Sequence, residues 1–486
     1  MRERRTSKIN LASRLQMFSI KCKFGILPSI APPLSVGNES TESSPWLERI
    51  YRWLDRMLFS RGRWKESRYF LENDGVDDMN RPWCLVWERD SLLPVGYLGL
   101  CVEYDGLPMR DLETAIRRHI GSFGGVLEVK VWLLRPDNSS VLLFVGHMYL
   151  DHRSLYRSIF LCAAKLPSLL DGAWRRWEQQ RFPHMPVGSS GKPVGVCSRI
   201  ASLLSDSMHW LIWEQRWMME LGVADEGRHR PLRLTKRLRS PDGMIWADPF
   251  ILDIGDRRWL LYEELHFSNN RGYIAAMAMH GAEVREQDRK VVLAEPWHLS
   301  FPFVWREGED VYLIPEANES RKLTAYKILD ADLNLQPGDP LIAGVRLADA
   351  NIIRHEGRLW LFASAADNGA SLNDALHVYW AEKFEGPWHA HKLNPVKVDA
   401  SSARPAGAMW VEDGHMHRVA QDCSSTYGGS VRCMRVTRLT EDDFEEVEVP
   451  GWSSAFDSGV GPWHTFNCAG ELMVTDRLVA TPRWWS

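Results

Sequence analysis

Carboxylates, an arginine, an amide and a histidine recur at matched positions in the C-terminal half of this 486-residue chain. Asp248 and Asp349 stand at the heads of two apolar segments, Arg404 at the head of another and His464 near the head of a last one. Glu263 with Glu264, Glu316, and Gln421 with Asp422 close the segments that follow them. Two carboxyl groups on opposite sides of a bond can share acid–base work, one protonated to donate and one ionised to accept a proton or attack. Glycosidic bonds are cleaved in that way. The same ring of groups also suits the binding of a polyhydroxylated ligand. Tryptophan adds to the sugar reading: the chain carries 23, and sugar rings stack on aromatic faces. Trp259 and Trp360 repeat inside segments and are packing residues, whereas Trp297, beside His298, is the better stacking candidate.

These positions matter because a phrase returns five times around them. It reads WADPFILDIGDRRWLLYEE from Trp246, LSFPFVWREGEDVYLIPE from Leu299, ADANIIRHEGRLWLFASA from Ala348, RPAGAMWVEDGHMHRVAQD from Arg404 and GPWHTFNCAGELMVTD from Gly461. Each copy is an apolar strand, a polar turn and a second strand, which is a hairpin. Trp259, Tyr312 and Trp360 lie eleven residues after Asp248, Phe301 and Asp349, so the first three copies share one register, with starts 53 and then 48 residues apart. Strand repeats of about 50 residues predict the blades of a β-propeller, here five-bladed and all-β. Its innermost strands would bring equivalent positions together at a central channel. Each candidate also has a purely structural reading. Asp before Pro shapes turns, Arg404 can tie blades together, and Glu263 and Glu264 must face opposite sides of a strand, so only one looks into the channel.

Composition limits the alternatives. Lys plus Arg (59) nearly balance Asp plus Glu (63), with a net charge of −4 and no basic stripe with interleaved aromatics, which argues against nucleic acid. Eight scattered cysteines without a C-x-x-C pair fit a reducing cytosol, and neither a metal nor a cofactor is expected. No segment approaches about 18 consecutive apolar residues, so no transmembrane segment is expected. The basic N-terminal arm, residues 1–24, lacks the pattern of a secretory signal and could touch an anionic membrane surface. Residues 25–181 read as an α+β domain: helices from Ser44, Met109 and Ser154, a strand around Leu98–Tyr104, and a hairpin turning at Pro136-Asp137-Asn138. Residues 182–235 read as a Pro-, Gly- and Ser-rich linker and a connecting helix from about Ser198 to Leu221, and 236–486 as the propeller.

WADPF, YEE, HLSFPFV with IPE, DANII, GPW, RPAG and QDCSSTYG, in this order, resemble a five-bladed family related to glycoside hydrolase family 43, nearest to the N-terminal propeller of the glucosamine inositolphosphorylceramide transferases. The resemblance implies Asp248 as general base, Asp349 as helper aspartate and Glu316 or Glu264 as acid, with Phe301-Pro302 standing where an aspartate is expected in the second copy. Glu264, Trp297, Arg404, Gln421, Asp422 and His464 then fall to substrate binding. Residues 124–170 look like the tail of a formyltransferase domain, but no N-x-H-P element precedes residue 180. The resemblance therefore implies a degenerate, non-catalytic domain.

The expectation is a cytoplasmic, carbohydrate-recognising propeller protein that acts in surface polysaccharide or glycolipid biosynthesis beside biosynthetic glycosyltransferases, with a glycosidase- or glycosyltransferase-type activity in its channel. The absence of a secretion signal favours biosynthesis over polymer degradation. Two alternatives stand beside it: a non-catalytic sugar-binding scaffold, and a formyl or acyl transferase.

Overall fold

The computed structural model describes residues 83–86, 89, 98–120, 125–182, 213–225, 229–366, 369–452 and 463–482. The basic arm, the helix expected from Ser44 and the linker at 183–197 lie outside them. The chain divides into two compact units near residue 203.

The N-terminal unit holds a mixed sheet in which Trp83–Val86 runs parallel to Leu98–Tyr104, followed in order by Leu127–Leu134 and Ser140–Met148. The last two strands form the hairpin expected around Pro136. Leu112–Arg117 forms a short helix and Leu155–Glu178 a long one. The long helix starts where Ser154 accepts a hydrogen bond from the Arg157 N–H, an N-cap that satisfies one of the free amides of the first turn. Phe160, Leu166, Leu169 and Leu170 are among the residues it buries.

Among the described residues the second unit holds five sheets. The first runs in order through Met244–Ile254, Arg257–His266, Arg271–His280 and Glu283–Leu293. The second runs through Ser300–Glu307, Asp310–Glu316, Lys322–Ile328 and Leu335–Ala343. The third uses Leu347–His355, Arg358–Ala365 and Ala375–Ala381 with two short edge pieces. The fourth uses Trp410–Glu412, His415–Asp422, Ser430–Leu439 and Phe444–Glu448. In the fifth, Trp463–Ala469 and Leu472–Pro482 join two strands from the start of the unit, Trp213–Asp225 and Arg230–Arg239.

That last pairing corrects one sequence reading. Of the helix expected from about Ser198 to Leu221, residues 198–212 lie outside the described residues, and 213–221 instead belong to a strand from Trp213, paired over eleven residues with Leu472–Pro482 on one side and with Arg230–Arg239 on the other. Met219, Leu221 and Ala224 are buried with the intervening Glu220 and Gly222. The apolar positions that suggested the helix precede Trp213 and lie outside the described residues, and the strand, covered on both faces, lacks the alternation that would mark it as one.

Bonds between the sheets run from each to the next. The Asp248 N–H of the first donates to Asp476 Oδ2 of the fifth at 2.8 Å, and the Phe301 N–H of the second donates to Asp248 Oδ2 at 3.1 Å. Arg354 of the third donates to Glu307 of the second at 2.6 Å. Arg404, just before the fourth sheet, donates to Asp349 of the third at 2.6 Å. Asn467 of the fifth accepts from the Ala408 N–H and donates to the Pro249 carbonyl, spanning the fourth and the first.

A repeated irregularity explains why the repeat heads matter. Pairing between the first two strands slips between Ala247 and Phe250, between Ser300 and Phe303, between Ala348 and Asn351, and between Trp463 and Phe466. The bulges hold Asp248, Phe301, Asp349 and His464. Three of these are left-handed, with φ of 52°, 46° and 52° for Asp248, Phe301 and Asp349. A bulge re-aims its side chain away from the pleat, and a left-handed non-glycine residue persists only where its surroundings compensate for the strain. Here the cross-sheet N–H bonds of Asp248 and Phe301 supply part of that compensation.

Candidate functional site

Two buried clusters form around the bulges. In the first, His464 Nδ1 lies 3.2 Å from Asp248 Oδ1 and 3.2 Å from Asp476 Oδ2, while Nε2 lies 2.6 Å from the Tyr427 hydroxyl. Burial opposes a charge on this ring, but Tyr427, Asp476 and Asp248 together hold its pKa well above the ordinary histidine range. Burial pushes the Asp248 carboxyl up, and the neighbouring imidazolium pulls against it. One ligand atom each from Asp248, His464 and Asp476 falls within a 4.8 Å span, a spacing that a metal ion could use. The His464 and Asp476 atoms, however, are already engaged with each other. Asp476 accepts from the Thr465 N–H, the Thr465 hydroxyl and the Asp248 N–H. The set matches an imidazolium between two carboxylates better than a cation site.

The second cluster centres on Arg404. Its Nε donates to Asp349 at 2.6 Å, its Nη1 donates to Asn373 at 3.0 Å, and its Nη2 lies 3.5 Å from Glu316 Oε2. Gln421 donates to the same Asp349 oxygen at 3.3 Å, and Asn318 donates to the other Glu316 oxygen. Burial, and then the charge of Glu316, raise Asp349 to about 7 although Arg404 works the other way. Tyr427 joins the clusters: its hydroxyl meets His464, and its ring lies 5.0 Å from the Arg404 guanidinium carbon.

A smaller pair flanks them. His298 lies 3.1 Å from Glu263 and accepts the Gly272 N–H at 3.0 Å. Burial opposes a charge on the ring and Glu263 favours one, but accepting the Gly272 N–H requires Nδ1 to be unprotonated, so the ring is neutral with its proton on Nε2 toward Glu263.

The structure therefore gathers Asp248 with His464, and Asp349 with Glu316, Arg404 and Gln421. Three expected residues lie elsewhere. Glu264 is held by Arg289 at 2.9 Å, His266 at 2.8 Å, and the Tyr262 and Trp246 side chains. Its neighbour Glu263 faces the clusters instead. Asp422 pairs with Arg432 at 2.6 Å and with Ser424. Trp297 lines a cleft of about 230 Å³ with Glu295, Tyr326 and Lys322, and packs against the core of the second and third sheets.

Asp476 and the Glu263–His298 pair were not singled out from sequence. The signal for Asp476 was present, because it closes the fifth copy of the phrase; in the structure its strand runs on to Pro482. His298 precedes its copy and carries no repeat signature. The second copy's Phe301 also finds its explanation: it contributes a backbone N–H to Asp248, while its ring is buried 5.0 Å from that of Phe250.

Residues 237–470 match the family described as glucosamine inositolphosphorylceramide transferase 1, N-terminal. Proteins named glucosamine inositolphosphorylceramide transferase 1 are similar over 42–45% of the chain. The Arabidopsis thaliana protein is 33% identical over 221 residues, 45% of this chain and 29% of that one. The Oryza sativa subsp. japonica protein is 32% identical over 206 residues, 42% and 28% respectively. The match thus spans less than a third of these relatives. Among solved structures, an exo-β-1,3-galactanase from Clostridium thermocellum is 11% identical, with 47% of this chain and 59% of that chain covered and a TM-score of 0.36. A family 117 glycoside hydrolase of Zobellia galactanivorans is 13% identical, with 56% and 91% covered and a TM-score of 0.34.

Proposed function

We propose that the five sheets are the blades of a five-bladed propeller and that its centre recognises the carbohydrate part of a glycan or glycolipid during biosynthesis. The observation that carries this reading is a pair of orphaned oxygens. Asp248 Oδ1 and Glu316 Oε2, from different sheets, are buried and accept no hydrogen bond. Each sits beside a cation, at 3.2 Å and 3.5 Å respectively, outside hydrogen-bonding geometry. Buried polar atoms are rarely left unpaired without a reason. Sugar hydroxyls are donors suited to both oxygens, and the guanidinium of Arg404 adds donors beside them.

The likeness to proteins named for transfer to inositolphosphorylceramide supports a glycolipid setting for that sugar. In the catalytic form of the reading, Asp248 is the base, Glu316 the acid and Asp349 the helper that adjusts it. The N-terminal unit is proposed as a non-catalytic, formyltransferase-like domain. A glycan-array screen of the full chain tests the recognition step: saturable binding to a limited set of glycans supports it, and no binding across the array contradicts it.

A further inference from the structure

The outer strand of the fifth sheet, Arg230–Arg239, carries five cations and no carboxylate: Arg230, Arg233, Lys236, Arg237 and Arg239. The other outer strands differ. Glu283–Leu293 balances three acids with three bases, Leu335–Ala343 has Asp339 alone, and Phe444–Glu448 has three glutamates. Those glutamates do not neutralise the basic strand, since Glu445 pairs with Arg438, Glu446 with Arg418 and Lys397, and Glu448 with Arg432.

On the basic strand itself, Arg237 is engaged by buried Glu220 at 2.7 Å, and Lys236 reaches the Val284 carbonyl at 3.4 Å. Arg230 donates to the Gly451 carbonyl at 3.5 Å and forms no ion pair among the described residues. Arg233 and Arg239 form no ion pair among the described residues. Between Arg230 and Arg233 stands Leu232, 62% exposed and more open than any other large apolar side chain among the described residues.

We propose that this strand docks the protein on an anionic lipid bilayer, with Arg230, Arg233 and Arg239 meeting lipid phosphates and Leu232 entering the interface. An extended strand of this length lays its charges along roughly 33 Å. Each Arg or Lys near an anionic surface contributes about fivefold to partitioning, and an apolar side chain at the centre of the charges adds affinity that salt does not screen. Addition of a partner strand is disfavoured. Pro231 has no N–H to offer, and register shifts at Leu221/Gly222 and Val223/Ala224 distort the edge. A nucleic acid partner would leave Leu232 without an apolar neighbour, and the strand has no aromatic on which bases could stack.

The test is co-sedimentation of the full chain with phosphatidylcholine vesicles containing about 30% phosphatidylserine, against pure phosphatidylcholine vesicles, at about 0.1 M and about 0.5 M salt. The expected result is binding only to the anionic vesicles, weakened by salt and reduced about a hundredfold in R230Q/R233Q/R239Q. Leu232→Gln should weaken binding at both salt concentrations. Should the triple variant melt early, Arg233→Gln and Arg239→Gln alone should each cost about fivefold. Undiminished binding by these variants, no preference for phosphatidylserine, or tighter binding to a DNA duplex than to the vesicles would each overturn the proposal.

Discussion

Replacing Arg404 with methionine would remove the cation on which the second cluster depends while keeping much of its volume. Arg404 is 8% exposed, with Asp349 2.6 Å away and Glu316 3.5 Å away. Breaking a buried pair by deleting one partner costs about 3–5 kcal/mol, because the remaining charge is stranded. The loss should depend on pH. Asp349 sits at about 7 in the fold, above the value of about 3.9 in an unfolded chain. The folded state therefore binds its proton more tightly, and the resulting stabilisation is full below about pH 4 and lost as pH rises through about 7. Without Arg404 the carboxyl moves higher still, so the penalty should approach its full size at about pH 9. At about pH 5.5, where Asp349 is already neutral and only hydrogen bonds are lost, it should shrink to about 1–3 kcal/mol. Urea unfolding of wild type and Arg404→Met at both pH values, followed by tryptophan fluorescence, gives the two differences. Equal losses at both pH values, or a loss under about 1 kcal/mol at the higher one, would refute the argument that Arg404 is there to hold these carboxylates.

The flanking pair is tested through its tautomer. His298 Nδ1 accepts the Gly272 N–H at 3.0 Å and Nε2 faces Glu263 at 3.1 Å, so His298→Ala, which strands both groups, should cost about 1–3 kcal/mol in the same unfolding assay. Gly407→Ala tests the stitching of the fourth sheet to the fifth. A Cβ there would come 1.9 Å from the Phe466 carbonyl oxygen, so the variant should lose roughly 3 kcal/mol or more, seen as a lower melting temperature, whereas Gly414→Ala, with open space around its Cβ, should lose only the backbone strain of its positive φ.

What could be read from sequence was the repeat and what the repeat implies. The phrase heads at Asp248, Phe301, Asp349 and His464 are the four bulges, and the shared eleven-residue spacing to Trp259, Tyr312 and Trp360 reflects a shared hairpin register. Arg404 and Gln421 were likewise found by position. The repeat could not choose between Glu263 and Glu264, because alternation says only that they diverge, and the side is fixed by Arg289 on the outer strand of the sheet and His298 in the connection that follows it. The strands Trp213–Asp225 and Arg230–Arg239 were hidden for a related reason. They complete a sheet begun about 250 residues later in the chain, and no local pattern marks such a partner. Trp297 was singled out for its residue type, and residue type does not report which side of a sheet an indole packs against.

On the proposed reading, Asp248 Oδ1 and Glu316 Oε2 receive hydroxyls of a bound sugar. Calorimetric titration of a glycan selected by the array into wild type, Asp248→Asn and Glu316→Gln tests it most directly, with thermal melting as the folding control. The amide oxygen introduced by Asp248→Asn would still accept the Phe301 N–H, so the fold should hold. Loss of a charged acceptor costs about 1.5–3 kcal/mol, so each variant should bind roughly ten- to a hundredfold more weakly. If product forms with wild type, Asp248→Asn should also lower turnover by about a hundredfold or more. Affinities equal to wild type in both well-folded variants would contradict the claim and place the sugar elsewhere on the protein.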